Sequence, residues 1–108
     1  MVEYSMQLDS IFSSLADPTR RDILKRVSRR QLTVSEIAKP YHASLAAISK
    51  HLKVLEKAQL IVKRKHGREQ FVQLAPGAFK DANEYLKYYQ QFMEDQMDSL
   101  ENYLNKEA

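Results

Sequence analysis

The side chains in this chain that could do chemistry are mostly cations. Lys50, Lys53 and Lys57 recur at helical spacing, and Lys63, Arg64, Lys65 and Arg68 crowd around His66 and Gly67. Amines and guanidiniums at this density suit a polyanion, and nucleic acid is the polyanion that best uses a row of point charges. Catalysis has little to build on. There is no cysteine nucleophile and no Gly-rich phosphate loop. On a helix, Ser49 and His51 point about 200° apart, too divergent for a nucleophile–base pair. No enzyme activity is expected.

A metal site is not expected either. His42, His51 and His66 lack ligand spacing, and the last 30 residues contain no His. Asp81, Glu84, Glu94, Asp95 and Asp98 offer hard oxygens without the His or Cys that Zn²⁺-type sites favour. No cofactor is implied.

The charge is unevenly spread. The 108-residue chain is formally +3, yet residues 18–68 hold 14 Lys/Arg against three acids, and the flanking segments are acidic. Length points to one domain spanning residues 1–108. With 44% hydrophobic and 29% charged residues, the composition is that of an ordinary globular protein. The first ten residues, MVEYSMQLDS, lack a basic, apolar leader, and no run nears the roughly 18 apolar residues of a membrane span. Together with the missing cysteine, this predicts a cytoplasmic protein with no membrane partner.

These residues need elements to hold them. Leu8, Ile11, Phe12 and Leu15 describe a first amphipathic helix. Asp17 and Pro18 start a second, with Ile23, Leu24 and Val27 as its buried stripe and Arg20, Arg21, Lys25, Arg26, Arg29 and Arg30 outside. TVSE is a capping box, with Thr33 as cap and Glu36 reaching back, so a short third helix follows until Pro40. After the loop PYHA, Ser44 caps a fourth helix to about Ala58, lined by Ile48, Leu52, Leu55 and Gln59. From Ile61 the period changes to two, and two strands flank a turn at His66–Gly67. A long helix from about Ala78 to Leu104 ends the chain. It carries one strip of Leu86, Tyr89, Met93, Met97, Leu100 and Leu104, and a second of Tyr85, Tyr88 and Phe92. Two strips are more than a small domain covers alone, so a partner helix is expected.

Four helices, a hairpin and a long helix make a mainly α fold with a small β-hairpin, a winged helix-turn-helix. In such a fold the fourth helix enters the DNA major groove with its first turn. Ser44, Leu45, Ala46, Ala47, Ser49 and Lys50 are expected to face bases. Lys53, Lys57, Lys63, Lys65, His66 and Arg68, around the Gly67 turn, are expected on phosphates or in the minor groove. His51 is expected to serve phosphate binding or packing. Arg20 is expected in a structural or backbone-contacting role.

The segments SLADPTRRDIL, LTVSEIA, SLAAISKHLKVLEKAQLI and GREQFVQL resemble successive motifs of the arsenic-repressor (ArsR/SmtB) family, over about residues 8–104. The resemblance implies a winged-helix homodimer joined through its first and last helices, here Leu8, Ile11 and Phe12 with Tyr85, Tyr89, Phe92, Met93, Met97 and Leu100. It implies a repressor that releases operator DNA on an inducing signal. The family's thiolate sensors need Cys near the third helix, where this chain has Val34 and Ser35. SLAAISKHLKVLE with the tail YYQQFMEDQMDSLENYL is similar to a metal-independent branch, often autorepressors encoded beside a small START-like protein. Tyr85 and Met93 stand where that branch often has Trp. His42 and Gln59 stand where the family usually has Gly, and Leu45, Ala46 and Ala47 where many relatives have Gln, Ser and Thr. Short apolar side chains cannot make bidentate base contacts, so modest direct readout and reliance on DNA shape are expected. Two other readings use the same residues. One is a repressor gated by a small hydrophobic effector between the long helices. The other is a winged-helix protein-interaction module without DNA binding.

Overall fold

The computed structural model describes residues 2–107, with side chains described over residues 7–106. The chain runs α1 (Val2–Leu15), α2 (Pro18–Arg29), β1 (Leu32–Thr33), α3 (Val34–Ala38), a 3₁₀ turn (Lys39–Tyr41), α4 (Leu45–Lys57), β2 (Ile61–His66), β3 (Glu69–Leu74) and α5 (Lys80–Glu107). Its contacts fall into two units, one through Ala78 and one from Phe79 onwards.

Helix starts in the first unit follow side-chain caps. Asp17 Oδ1 accepts from the Arg20 N–H at 3.0 Å, with Pro18 as the first helical residue. The capping box at α3 is complete: Thr33 Oγ1 accepts from the Glu36 N–H at 3.1 Å, and Glu36 Oε1 accepts from the Thr33 N–H at 2.9 Å. Ser44 Oγ accepts from the Ala47 N–H at 3.1 Å and opens α4. Each cap satisfies a donor that the first turn leaves unpaired, for about 1 kcal/mol.

Helix ends are closed mainly by arginines of α2. Arg20 donates to the Ser14 and Ser13 carbonyls at 2.8 and 3.2 Å, and Arg21 to the Leu15 carbonyl at 2.7 Å. These are the orphan carbonyls and negative dipole end of α1. Arg26 donates to the Ile37 and Glu36 carbonyls at 2.8 and 2.9 Å and so closes α3. At the end of α4, the Gln59 N–H bonds to the Glu56 carbonyl at 2.9 Å and the Leu60 N–H to the Leu55 carbonyl at 3.0 Å. That pair of bonds is a Schellman motif, and Leu55 and Leu60 supply its apolar contact, both fully buried.

The core of this unit is built from Ile11, Ile23, Ile37, Ile48, Leu52, Leu55, Leu60, Ile61 and Val72, all nearly inaccessible. Each such side chain contributes about 1.5–3 kcal/mol by leaving water. The one buried polar side chain among the described residues, Ser14, donates to the Ser10 carbonyl at 2.7 Å.

Four local features differ from expectation. The sheet has three strands in the order β1-β3-β2, because Leu32 and Thr33 pair with Val72 and Phe71. The hairpin turn is Gly67–Arg68, since His66 still pairs with Glu69. Pro40 lies within the 3₁₀ turn. Gln59 is exposed, and Ala58 and Leu60 are buried in its stead.

The second unit is α5. It starts at Lys80, after Gly77 turns the chain with a φ of 71°. No helix among the described residues is long and apolar enough to cross a membrane. Leu86, Tyr88, Met97, Leu100, Tyr103 and Leu104 all stand exposed along α5.

Candidate nucleic-acid interface

The α4 helix buries Ile48, Leu52 and Leu55 on one side. The opposite side carries Ala46, Lys50, Lys53 and Lys57, all exposed. Its first turn stands clear of the core: Ser44 and Ala46 are exposed, Ala47 is half-buried and Leu45 is 55% exposed. Ser49 is half-buried on the flank nearest the hairpin.

The segment leading into α4 is clamped by α2. His42 carries a left-handed φ of 51°, which reverses the chain between the 3₁₀ turn and Ser44. One residue earlier, the Tyr41 hydroxyl donates to the Asp22 carboxylate, and the Arg26 guanidinium lies 5.3 Å from the Tyr41 ring centroid. Burial, and then the bond to Asp22, raises the Tyr41 phenol above its ordinary value. Arg26 thus holds both α3 and the turn, which sets where α4 begins. Sequence reasoning missed this clamp, because its residues lie 11 and 19 positions apart from their partners.

The hairpin forms the wing. Gly67 has a φ of 66° at the first position of a two-residue turn, where a Cβ would be strained. Arg64, Lys65, His66 and Arg68 are exposed around it. Lys63, expected with them, is elsewhere. Its side chain is only 15% exposed and its Nζ lies 3.4 Å from Glu56 Oε1. Its charge is spent joining α4 to β2.

His51 faces inward as well: its Nδ1 lies 3.3 Å from Arg20 Nη1. It joins Arg20 in linking the end of α1, the start of α2 and the middle of α4. The Asp17 and Glu36 carboxyls are held below their ordinary values, chiefly by the capped backbone N–H of Arg20 and of Thr33 respectively.

Helix and wing meet at one concavity. A cleft of about 390 Å³ is lined by Thr33, Val34 and Ser35 from the start of α3, Leu45 and Ser49 from α4, and Arg68, Glu69 and Gln70 from the wing. Leu45 also borders a second cleft, of about 450 Å³, with Lys39, His42 and Ala43. Of the residues expected to touch DNA, Leu45, Ser49 and Arg68 therefore share a surface. Lys63 and His51 do not line it and are held by Glu56 and Arg20 respectively.

The residues expected at a subunit contact divide. Leu8 and Ile11 are 8% and 1% exposed, because α1 packs on α2 and α4. They are core residues of the chain and have little surface left for a partner. Phe12 is 39% exposed, and Tyr85, Tyr89, Phe92, Met93, Met97 and Leu100 lie between 41% and 61%. Tyr85, Tyr88 and Tyr89 cluster on α5, with ring centroids 5.3 Å apart for Tyr85–Tyr89 and 5.1 Å for Tyr88–Tyr89.

A helical pair presenting the first turn of its second helix beside a basic two-stranded wing is a winged helix-turn-helix. Residues 15–64 match the family model of a helix-turn-helix domain. The chain is 41% identical over 68 residues to the HTH-type transcriptional regulator Rv2034 of Mycobacterium tuberculosis, covering 63% of this chain and 64% of that protein. It is 31% identical over 74 residues to the transcriptional repressor SmtB homolog of Synechocystis, covering 68% of this chain and 56% of that protein. The chain thus spans less than two thirds of either relative. The crystal structure of an ArsR family transcriptional regulator, RHA00566, superposes with a TM-score of 0.76 at 39% identity, covering 83% of this chain and 93% of that one. This chain belongs to the ArsR family of transcriptional regulators.

Proposed function

We propose that the chain is a DNA-binding transcriptional repressor that acts as a homodimer on a near-palindromic operator in the cytoplasm. The observation that carries this reading is the shared cleft of Leu45, Ser49 and Arg68. It puts the leading turn of α4 and the wing on one surface, as simultaneous contact with a single duplex requires.

The division of labour follows from side-chain chemistry. Lys50, Lys53 and Lys57 on α4, with Arg64, Lys65 and Arg68 on the wing, meet phosphates and displace their counterions, which makes binding salt-dependent. The first turn of α4 meets base edges in the major groove. Two copies related by a two-fold axis place two such helices on half-sites about one helical turn or more apart. The exposed strip of α5 supplies an apolar surface for that pairing. Repression then needs no chemistry beyond occupying the operator.

The test is fluorescence anisotropy with the duplex immediately upstream of the gene, beside a scrambled duplex, at two salt concentrations. Binding to the native duplex that survives the higher salt, while the scrambled duplex is lost, is the expected result. Absence of binding to either at low salt would overturn the reading in favour of a protein-interaction module.

A further inference from the structure

We propose that the DNA half-site is specified at one position by a thymine C5-methyl group packed against Leu45. This apolar side chain, in place of a hydrogen-bonding one, sets the base preference there. The inference rests on the DNA-binding reading above and names the base chemistry that the same surface selects.

Leu45 is the most exposed large apolar side chain described in the unit that ends at Ala78. It sits at the first position of α4, the part of the helix that would enter the groove. Its immediate neighbours offer less apolar reach. Ala46 and Ala47 carry single methyl groups, shorter than the leucine side chain, and the Ser44 Oγ accepts the Ala47 N–H at 3.1 Å.

The surroundings of Leu45 decide what can cover it. Arg68 and Glu69 share one of its clefts, Lys39 and Glu36 the other, and Lys50 lies along the same helix. A leucine set among charged side chains of both signs is a poor seat for an apolar protein surface, because docking there would strip those charges of water. A duplex answers both demands. Its phosphates meet the cations, and the one apolar group on the major-groove floor is the methyl of thymine. Contact between that methyl and Leu45 removes apolar area from water on both sides.

Replacing thymine by uracil deletes that methyl and nothing else. Duplexes are first selected from a randomised library with the full chain at moderate salt. Each half-site thymine in the selected duplex is then replaced by deoxyuridine, and anisotropy is read for the unaltered protein and for Leu45→Ala. At least one position should cost the unaltered protein about fourfold in Kd, as burial of one methyl-sized group implies. Leu45→Ala should bind thymine and uracil duplexes equally at that position. Its thermal melting midpoint should match the parent, since the side chain removed is exposed. As a second variant, Leu45→Gln should move the preferred base there towards adenine, whose N6 donates to the amide oxygen while N7 accepts from the amide nitrogen.

Indifference to every thymine-to-uracil change would overturn the inference while leaving DNA binding intact. So would a Leu45→Ala protein that keeps the methyl discrimination, or a selected half-site without thymine. A selection that yields no duplex bound above the scrambled one would overturn the DNA-binding reading and this inference together.

Discussion

Gln59 shows how much one residue can reveal. It occupies the left-handed position of the α4 Schellman motif, at a φ of 62°, where glycine has no Cβ to strain. A non-glycine residue there costs about 1–2 kcal/mol in local conformation, and glycine returns part of that through its greater freedom in the unfolded chain. Gln59→Gly should therefore stabilise the protein by roughly 0.5–1 kcal/mol, read as a higher urea midpoint at fixed protein concentration with an unchanged slope. A lower midpoint would mean that the Gln side chain makes a compensating contact. His42 and Gln59 were marked only by the family resemblance, which usually has glycine at both places; read by period alone, Gln59 fell on the α4 stripe, because a left-handed helix end leaves no mark in the apolar spacing. The three N-caps, Asp17, Thr33 and Ser44, were legible in the sequence, because each is a short polar side chain directly ahead of an apolar period. The inward turn of Lys63 was not legible. Alternation along a strand gives the face of a side chain but not the carboxylate, seven residues back on α4, that will hold its amine.

Among the elements, the wing now has two kinds of cation, and they should behave differently on mutation. Arg68 is exposed at the turn and lines the cleft shared with α4. Arg68→Ala should weaken binding to all duplexes alike and reduce the slope of log K against log salt by about 1. Lys63→Ala should leave that slope within error, because its amine is already paired with Glu56. A salt slope reduced equally by both variants would return Lys63 to the DNA surface. The same division explains part of the basic middle of the chain. Arg20, Arg21 and Arg26 are spent on the carbonyl ends of α1 and α3, so the charge offered to a polyanion is smaller than the composition suggests. Long helices and the hairpin declare themselves through local period, and their order is as the sequence implies. The strand β1 did not declare itself, because two residues have no period and its pairing with β3 is entirely non-local. The 3₁₀ turn was hidden by Pro40, which ends an α-helix yet is well suited to the start of a tighter one.

At the scale of the whole molecule, charge and apolar surface are kept apart. Fourteen of the 17 Lys/Arg lie in the unit through Ala78, and α5 carries seven acids with only three lysines. The net negative charge of α5 would repel duplex DNA, while the helix keeps an exposed apolar strip from Leu86 to Leu104. In the proposed homodimer a second copy of the chain would cover this strip, and a two-fold interface would make each substitution count twice. A charge placed in the middle of the strip, Met97→Glu, should shift sedimentation equilibrium from dimer to monomer at micromolar protein. The proposed half-site contacts lie in the other unit, so the variant should bind an isolated half-site duplex as the parent does. Its affinity for the full two-half-site duplex should fall by about a hundredfold or more, because the second contact is no longer delivered at the high effective concentration of a linked pair. Full-site binding that survived in a proven monomer would mean that one chain reads the operator alone, and α5 would then need a different partner.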